Sequence, residues 1–291
     1  MLKQTKGQKV FAVFNYIFLG LLAAVCILPI VHLLAVSLSS KGYAEANLVG
    51  LWPKGFTLSS YEMLLGGKTF PRAFWISVQR AVLGTALNLI TTILLAYPMS
   101  KTSSEFKGRP VYMVYIVITM VFGGGLVPSY LLVNSLGMFD TIWALVLPTS
   151  VGTFNVILMM NFMRGIPKEI EEAARIDGAN HFKTLWRIIL PMSLASIATV
   201  ALFSFVGQWN SWFDGLIYNM RVENYPLQTY LQVVLTNKAP AGLDEAIVQS
   251  QAGGRTLRSA QIFVTMLPLL VVYPFAQKYF VTGVVVGSVK G

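Results

Sequence analysis

The chain has 291 residues, of which 55% are hydrophobic and only 12% are charged. A soluble domain carries about 25% charged residues, so this composition excludes an ordinary water-soluble protein and predicts a membrane domain. The formal net charge of +10 does not indicate nucleic-acid binding, because the basic residues lie between apolar runs and form no stripe with aromatic residues.

Apolar runs long enough to cross a bilayer recur from one end of the chain to the other. A spanning helix needs about 20 mostly apolar residues, whereas a barrel strand would alternate over about 10 residues. The sequence therefore predicts a single all-α membrane domain, residues 1–291, with six transmembrane helices. Their predicted ranges are 11–38, 74–99, 111–133, 141–163, 192–218 and 259–277.

The first apolar run follows Lys3, Lys6 and Lys9, and it has some features of a signal peptide. Its uncharged stretch, residues 10–40, is much longer than the roughly 7–15 apolar residues of a signal core. We therefore expect it to be a retained membrane helix.

Six spans place both ends of the chain on the same side of the membrane. If that side is the cytoplasm, the inner segments hold 13 Lys and Arg in 63 residues, and the outer segments hold 8 in 83. The excess of positive charge inside predicts cytoplasmic termini. It also places two long loops outside, at 39–73 and 218–258, either as docking sites for an external partner or as solvated connections.

Helix-breaking residues mark several of the predicted spans. Gly123-Gly124-Gly125 followed by Pro128 should loosen the third span, Pro148 should kink the fourth, and Pro268 and Pro274 should kink the sixth. Irregular backbone at membrane depth survives only where protein or a water-filled cavity covers it. We therefore expect the third and fourth spans to line a path, with packing kinks as the alternative.

The inner segment 164–191 is the most structured loop in the sequence. Pro167 is placed to begin a helix, Gly178 to end it in a left-handed cap, and Asn180 to begin a second helix. The pattern therefore predicts two short helices at an angle, lying at the inner membrane surface.

The first of these helices has an unusual face. Ile170, Ala173, Ala174 and Asp177 follow helical spacing, so the face centres on two alanines. Small side chains let another backbone approach closely, and Glu172 and Asp177 can pair with basic groups of a partner. An ordinary interfacial helix is the alternative, although membrane anchoring favours large apolar side chains.

This loop resembles the EAA loop of ABC importer permeases at every fixed position. The matching residues are Glu172-Ala173-Ala174, Gly178, Ile188 and Leu190-Pro191. The Asp177-Gly178-Ala179 version is similar to the sugar-permease branch, and the resemblance extends over most of residues 10–291. It implies that the loop is a coupling helix that docks into a cleft on an ATPase subunit. The implied coupling residues are Glu172, Ala173, Ala174, Asp177, Gly178, Leu190 and Pro191.

The resemblance also implies an assembly in a bacterial cytoplasmic (inner) membrane. Its expected members are a homologous permease that forms a heterodimer with this chain, two ATPase subunits, and an extracytoplasmic binding protein that delivers an oligosaccharide. The chain itself is then not an enzyme and holds no cofactor, since ATP and Mg²⁺ bind to the ATPase. An ion-coupled secondary transporter is the alternative, but predicted spans one to four hold no Asp or Glu in their interiors.

Polar side chains inside the predicted spans are candidates for contact with the transported sugar. Hydrogen bonding between helices is the alternative for each of them. If Arg80 lines the outer vestibule, an acidic sugar would suit its charge. The candidates are Arg80, Asn88, Asn155, Asn161, Gln208 and Asn210.

Overall fold

The computed structural model describes residues 5–236 and 244–288. Within those ranges every regular element is a helix, as the sequence predicts. Part of the predicted outer loop 218–258 lies outside the described residues, at 237–243, as do both ends of the chain, at 1–4 and 289–291. The α-helices are α1 (Lys6–Ser37), α2 (Lys41–Glu45), α3 (Ser59–Gly66), α4 (Thr69–Ser100), α5 (Arg109–Val121), α6 (Leu126–Ser135), α7 (Ile142–Val146), α8 (Thr153–Arg164), α9 (Lys168–Ile176), α10 (His181–Thr184), α11 (Leu190–Met192), α12 (Leu194–Asn210), α13 (Phe213–Tyr218), α14 (Leu227–Thr236) and α15 (Asp244–Ser288). A π-helix at Leu185–Ile189 and a 3₁₀-helix at Val222–Asn224 complete the set.

Three helices are individually long and apolar enough to cross a bilayer: Gly7–Ser37, Thr69–Ser100 and Gly254–Phe275. They overlap the segments predicted as the first, second and sixth spans. Two bent pairs of helices also pass when each pair is taken as one span, which gives up to five spans in the described part of the chain. The count of six spans stays a prediction.

Helices α5 and α6 form the first bent pair, with an angle of 110° between them. They occupy the predicted third span and are separated by residues 122–125. Gly125 has a φ of +82°, a left-handed conformation that glycine adopts without steric cost. The break predicted from the glycine run is therefore confirmed, and it is a sharp turn rather than a loosened helix.

The second bend lies where the loop 164–191 enters the predicted fifth span. The stretch His181–Met192 meets Leu194–Asn210 at 81°. The sequence predicts that this span begins at residue 192, but the helical path begins at His181 and turns at Ser193. A π-turn just before the corner, at Leu185–Ile189, supplies the extra residue that such turns insert into a helix.

The fourth and sixth predicted spans respond differently to their prolines. Pro148 is predicted to kink the fourth span, and residues 147–152, which include it, separate α7 from α8. Helix α15 instead continues through Pro268 and Pro274, and the non-helical residue within it is Gly254. Neighbouring groups can satisfy the backbone around a proline in a membrane helix.

The described residues divide into two compact units, and the first comprises Met1–Pro71 with Val233–Met266. Ser37 Oγ lies 2.7 Å from the hydroxyl oxygen of Tyr61, which ties the end of α1 to α3. The most hydrophobic stretch of α1 has none of its residues buried. The first unit thus holds α1 by its C-terminal end, in a small core formed by Ala35, Val36, Ala44 and Val49.

The second unit comprises Arg72–Gln232 with Leu267–Gly291. Its main core joins α4, α5, α8 and α12 to the segment that follows α10. Because Leu185, Ile189 and Leu190 are buried there, the loop that carries α9 and α10 is anchored directly in the helix bundle. The core residues are Ala96, Tyr97, Met99, Ile116, Val156, Met159, Met160, Met163, Leu185, Ile189, Leu190 and Val200.

Candidate functional site

Helix α9 is short, polar and largely exposed. Glu169 and Glu171 lie in its first turn and Arg175 in its last turn. Each charge is favourable with respect to the helix dipole, since carboxylates suit the N-terminus and cations the C-terminus. These terminal interactions help a nine-residue helix to form, because helices of that length are marginal when isolated in water.

The C-terminus of α9 is closed by a complete Schellman motif. The Gly178 N–H donates to the Arg175 carbonyl (3.0 Å), and the Ala179 N–H donates to the Ala174 carbonyl (2.9 Å). Gly178 has a φ of +76°, as this motif requires. The Asn180 side chain then accepts a backbone hydrogen bond at the start of α10 (2.8 Å). Both predicted caps are confirmed.

We expect Gly178→Ala to loosen this loop. A left-handed conformation costs an L-residue roughly 1–2 kcal/mol, which raises the open fraction of the loop by roughly 5- to 30-fold. The measurement is the rate of trypsin cleavage within 164–191 in the permease without its ATPase. Gly66→Ala is the matched control, since a Cβ at Gly66 meets nothing within 4 Å and Gly66 has no positive φ. Equal cleavage rates in the two variants would contradict the prediction.

The two alanines of α9 face different surroundings. Ala174 is only 5% exposed, whereas Ala173 and Glu172 are not buried. Ile176, one turn further along, is 86% exposed. A partner that approaches α9 therefore meets Glu172, Ala173 and Ile176, which we call the outward surface, and not both alanines as the sequence interpretation has it. Ile176 was missed, although its spacing from Glu172 and Ala173 could have indicated it.

The inner side of α9 is held by two ion pairs to the loop after α4. Lys101 donates to the Glu171 carboxylate, and Arg175 donates to Glu105 (2.5 Å). Lys101 is nearly buried and also lies 4.1 Å from the centre of the Tyr97 ring. A cavity of about 280 Å³ lies between the two segments and is lined mainly by charged side chains. We call these two pairs the α9 clamp.

The carboxyl group of Glu105 is ionised over the whole physiological range. The Thr102 backbone N–H and then the Arg175 guanidinium donate to it and lower its pKa from 4.5 to about 2. A lowered folded-state pKa gives stability that is fully present above pH 4.5 and is lost as the pH falls through about 2. The Arg175–Glu105 pair of the α9 clamp should therefore be unaffected by changes of pH between 5 and 8.

Charge reversal of Lys101 should release α9. Lys101→Glu places two carboxylates together where Lys101 was nearly buried, and loss of the charged hydrogen bond costs roughly 1.5–3 kcal/mol. The measurement is thermal unfolding of the purified complex together with trypsin cleavage of the loop. The Lys101→Glu/Glu171→Lys double variant should recover much of the loss. Strictly additive effects of the two single changes would show that the residues do not interact.

A second cluster lies within the predicted spans and centres on Arg80. This side chain is 0% exposed, and its guanidinium donates to both carboxylate oxygens of Asp214. It also donates to Gln208 Oε1 (3.1 Å) and to the Ser211 carbonyl (3.2 Å). Arg80 therefore has a compensating charge and a full set of partners, as a buried guanidinium requires.

Side chains next to this cluster also form hydrogen bonds with polar groups at the break between α7 and α8. Thr91 Oγ1 donates to the Ser150 carbonyl (2.6 Å), and the Asn88 amide donates to the same oxygen (3.2 Å). Asn155 in turn donates to Asn88 Oδ1 (2.9 Å), and Gln208 donates to Thr149 Oγ1 (2.8 Å). Carbonyl groups released by a broken helix need such partners where water is excluded.

The predicted site residues therefore fall into distinct groups. Arg80, Asn88 and Gln208 are buried, and Arg80 donates directly to Gln208. Asn155 is half-buried on α8 and donates to Asn88. Asn161 and Asn210 are exposed. Among the predicted coupling residues, Leu190 is buried in the main core, while Asp177, Gly178 and Pro191 are exposed. Asp214 completes the buried cluster.

Curated relatives align over nearly the whole chain. Protein LplC of Bacillus subtilis (strain 168) is 39% identical over 99% of this chain and 97% of its own length. The polygalacturonan/rhamnogalacturonan transport system permease protein YtcP of the same organism is 36% identical over 98% of this chain and 99% of its own.

The fold also matches solved structures. A chain of a bacterial ABC transporter involved in the import of the acidic polysaccharide alginate superposes with a TM-score of 0.84, at 29% identity, over 96% of this chain and 100% of that chain. Residues 73–286 match the family described as the binding-protein-dependent transport system inner membrane component. This range contains the α9 clamp, the outward surface and the Arg80 cluster. The chain therefore belongs to the family of binding-protein-dependent transport system inner membrane components, the permease subunits of ABC transporters, which are not themselves enzymes.

Proposed function

We propose that the chain forms, with a homologous permease, the membrane path of an ATP-driven importer for an oligosaccharide. An extracytoplasmic binding protein delivers the sugar, and the outer loops 39–73 and 218–258 are the surfaces it meets. Two ATPase subunits bind ATP and Mg²⁺ on the cytoplasmic side, so this chain needs no cofactor of its own. The relatives named for pectin-derived and alginate substrates support an oligosaccharide as the cargo.

The observation that carries the proposal is the way in which α9 is attached to the membrane helices. One side of this helix is open, and the other is fixed to the end of α4 by the α9 clamp. The following segment is anchored in the main core through Leu185 and Ile189. A displacement imposed on the outward surface would therefore move the membrane helices with it. Coupling of this kind requires a partner whose two states place α9 differently.

The proposed topology has six spans and cytoplasmic termini. Helices α1, α4 and α15 each contribute one crossing. Each bent pair, α5 with α6 and the stretch 181–192 with α12, contributes one more, and the broken pair α7 with α8 forms the fourth span in chain order. Because irregular backbone at membrane depth must be covered by protein or water, the breaks at 122–125 and 147–152 support placing the third and fourth spans beside the path.

The six path candidates take two roles in this proposal. Asn161 and Asn210 are exposed, so their amides are free to meet a sugar hydroxyl in this conformation. Arg80, Asn88 and Gln208 instead support the path walls, because their polar groups are engaged within the chain. The sixth, Asn155, supports Asn88. An acidic cargo is then not recognised through Arg80, whose charge is compensated by Asp214.

Reconstitution tests the function directly. The complete complex in proteoliposomes, with its binding protein, should take up trigalacturonate or arabinotriose only when ATP is present on the ATPase side. A Na⁺ or proton gradient without ATP should drive no uptake, which separates the importer from an ion-coupled transporter. Gradient-driven uptake in the absence of ATP would contradict the proposal.

A further inference from the structure

A second cavity, of about 290 Å³, lies in the same unit near the N-terminal end of α4. Its walls come from three separate stretches of chain: the first turns of α4, residues 140–145 and residues 219–224. The volume is at the lower end of ligand-binding pockets, which range over about 300–1,000 Å³. Its polar lining includes Arg72, Gln79, Asp140, Asn219 and Asn224.

This cavity and the α9 clamp lie near opposite ends of one helix. Trp75 lines the cavity and Ser100 lines the space beside the clamp. The 25 residues between them on α4 correspond to about 38 Å at 1.5 Å per residue. The hydrocarbon core of a bilayer is about 30 Å thick. If α9 is cytoplasmic, as proposed above, the cavity therefore opens at the outer surface.

One wall of the cavity is fixed in an unusual backbone conformation. Asp140 has a φ of +60°, which is uncommon for any residue but glycine. Its N–H donates to the Tyr218 carbonyl (3.1 Å), while its Oδ1 accepts from the Arg221 N–H (2.8 Å) and from Asn224 Nδ2 (3.3 Å). Such conformations persist where the surroundings hold them, and they gather at ligand clamps. The wall is thus preformed.

The remaining groups suit a sugar ring. Trp75 is 59% exposed, and the negative face of its indole ring attracts the C–H groups that one side of a pyranose presents. Gln79 lies one turn further along α4 and forms no hydrogen bond within the described chain, so its amide can serve hydroxyl groups. Arg72 pairs with Glu223 at 3.3 Å, and both side chains are more than half exposed. Such a surface pair is weak and can exchange for a ligand carboxylate or hydroxyl.

We propose that this cavity, lined by Trp75, Gln79, Arg72 and Asn224, is a saccharide-binding subsite at the outer mouth of the permease that receives one ring of the cargo. This proposal of a subsite rests on the proposed function. An aromatic face flanked by the Gln79 amide and one guanidinium binds a neutral ring by stacking and hydrogen bonding. The same guanidinium adds a bidentate contact when the ring carries a carboxylate.

Cysteine protection tests the subsite in the complete complex. Cys26 is the chain's single cysteine, so Cys26→Ser gives a background for Gln79→Cys. At a sugar concentration about ten times Kd, trigalacturonate or arabinotriose should slow maleimide labelling at position 79 by about tenfold. Comparison of the two sugars shows whether a carboxylate is preferred. Asn134→Cys, an exposed position at the end of α6, should label equally fast with and without sugar.

Uptake kinetics give an independent measure. Trp75→Ala should raise the KM for sugar by about tenfold, equivalent to 1.4 kcal/mol, while Trp75→Phe, which keeps an aromatic face, should change it little. Tyr16→Ala, at a 77% exposed aromatic residue of α1 that lies outside both outer loops, is the matched control.

The two proposals fail in different ways. Normal ATP-driven uptake, together with no protection of the Gln79→Cys variant by sugar, overturns the subsite and leaves the import function standing. Protection without any ATP-driven uptake supports the subsite and overturns the import function. Absence of both overturns both.

Discussion

Asp214→Asn is expected to be the most damaging single change in the membrane domain. It leaves the Arg80 guanidinium fully buried with only neutral partners, Gln208 and the Ser211 carbonyl. Removal of one member of a buried ion pair costs about 3–5 kcal/mol. Thermal unfolding of the purified complex, followed by tryptophan fluorescence, should show a large drop in the melting temperature.

The reverse change, Arg80→Met, should cost less. Asp214 is partly exposed and keeps hydrogen bonds from Ser211 Oγ and the Gly215 N–H, both 2.9 Å. A carboxyl group can also bind a proton, whereas a guanidinium keeps its charge. Arg80→Met should therefore lower the melting temperature less than Asp214→Asn does, a difference that a simple count of lost contacts does not predict.

Two further variants complete this test. Arg80→Met/Asp214→Leu should be close to the wild type in stability, since well-packed apolar groups often replace a buried ion pair at no net cost. Arg187→Met is the control, because Arg187 is exposed. A double variant as unstable as Asp214→Asn would show that the pair contributes through shape or hydrogen bonds rather than through charge compensation.

Glu172→Lys and Ile176→Lys are expected to uncouple transport from ATP hydrolysis. Both residues lie on the outward surface, and a central interface residue typically contributes about 2 kcal/mol or more to binding. A lysine at position 176 would bring an uncompensated charge into the contact. The ATPase should be lost when the permease is purified, and uptake should fall to background.

Glu62→Lys is the matched control for this pair. It makes the same charge reversal at an exposed position of α3, in the predicted outer loop. Its ATPase content should equal that of the wild type, because the outer loop does not meet the ATPase. Retention of the ATPase and normal uptake by both outward-surface variants would refute the coupling role of α9.

Local signals in the sequence predicted most of the structure of the loop 164–191. Caps act over three to five residues, so Gly178 and Asn180 could be assigned from their neighbours alone. Which side of α9 packs inward depends on the α9 clamp, whose pairs join residues 70 positions apart. Helical spacing therefore suggested a face of two alanines, whereas tertiary packing buries Ala174 and leaves Ile176 exposed.

Distance along the chain also limited the interpretation of Arg80. Its partner Asp214 lies 134 positions later, and no spacing rule connects the two. Hydropathy located apolar segments but not their direction, so it did not predict the angle of 110° between the two helices of the third span. The glycine run predicted a break there because glycine acts locally on the backbone. Pro268 and Pro274 also act locally, but α15 continues through both of them.

Helix α1 is attached at one end and bare along the rest of its length. Its contacts in the first unit are concentrated near Ser37. The most hydrophobic stretch of the helix, which lies before Ser37, has no buried residue. Rotation of α1 about its long axis would pull Ala35, Val36 and Ser37 out of the places where they are buried, so the packed end sets the direction of every side chain along the helix. Cross-linking from Cys26, which is exposed on this helix, should accordingly reach neighbours on a single side rather than on several.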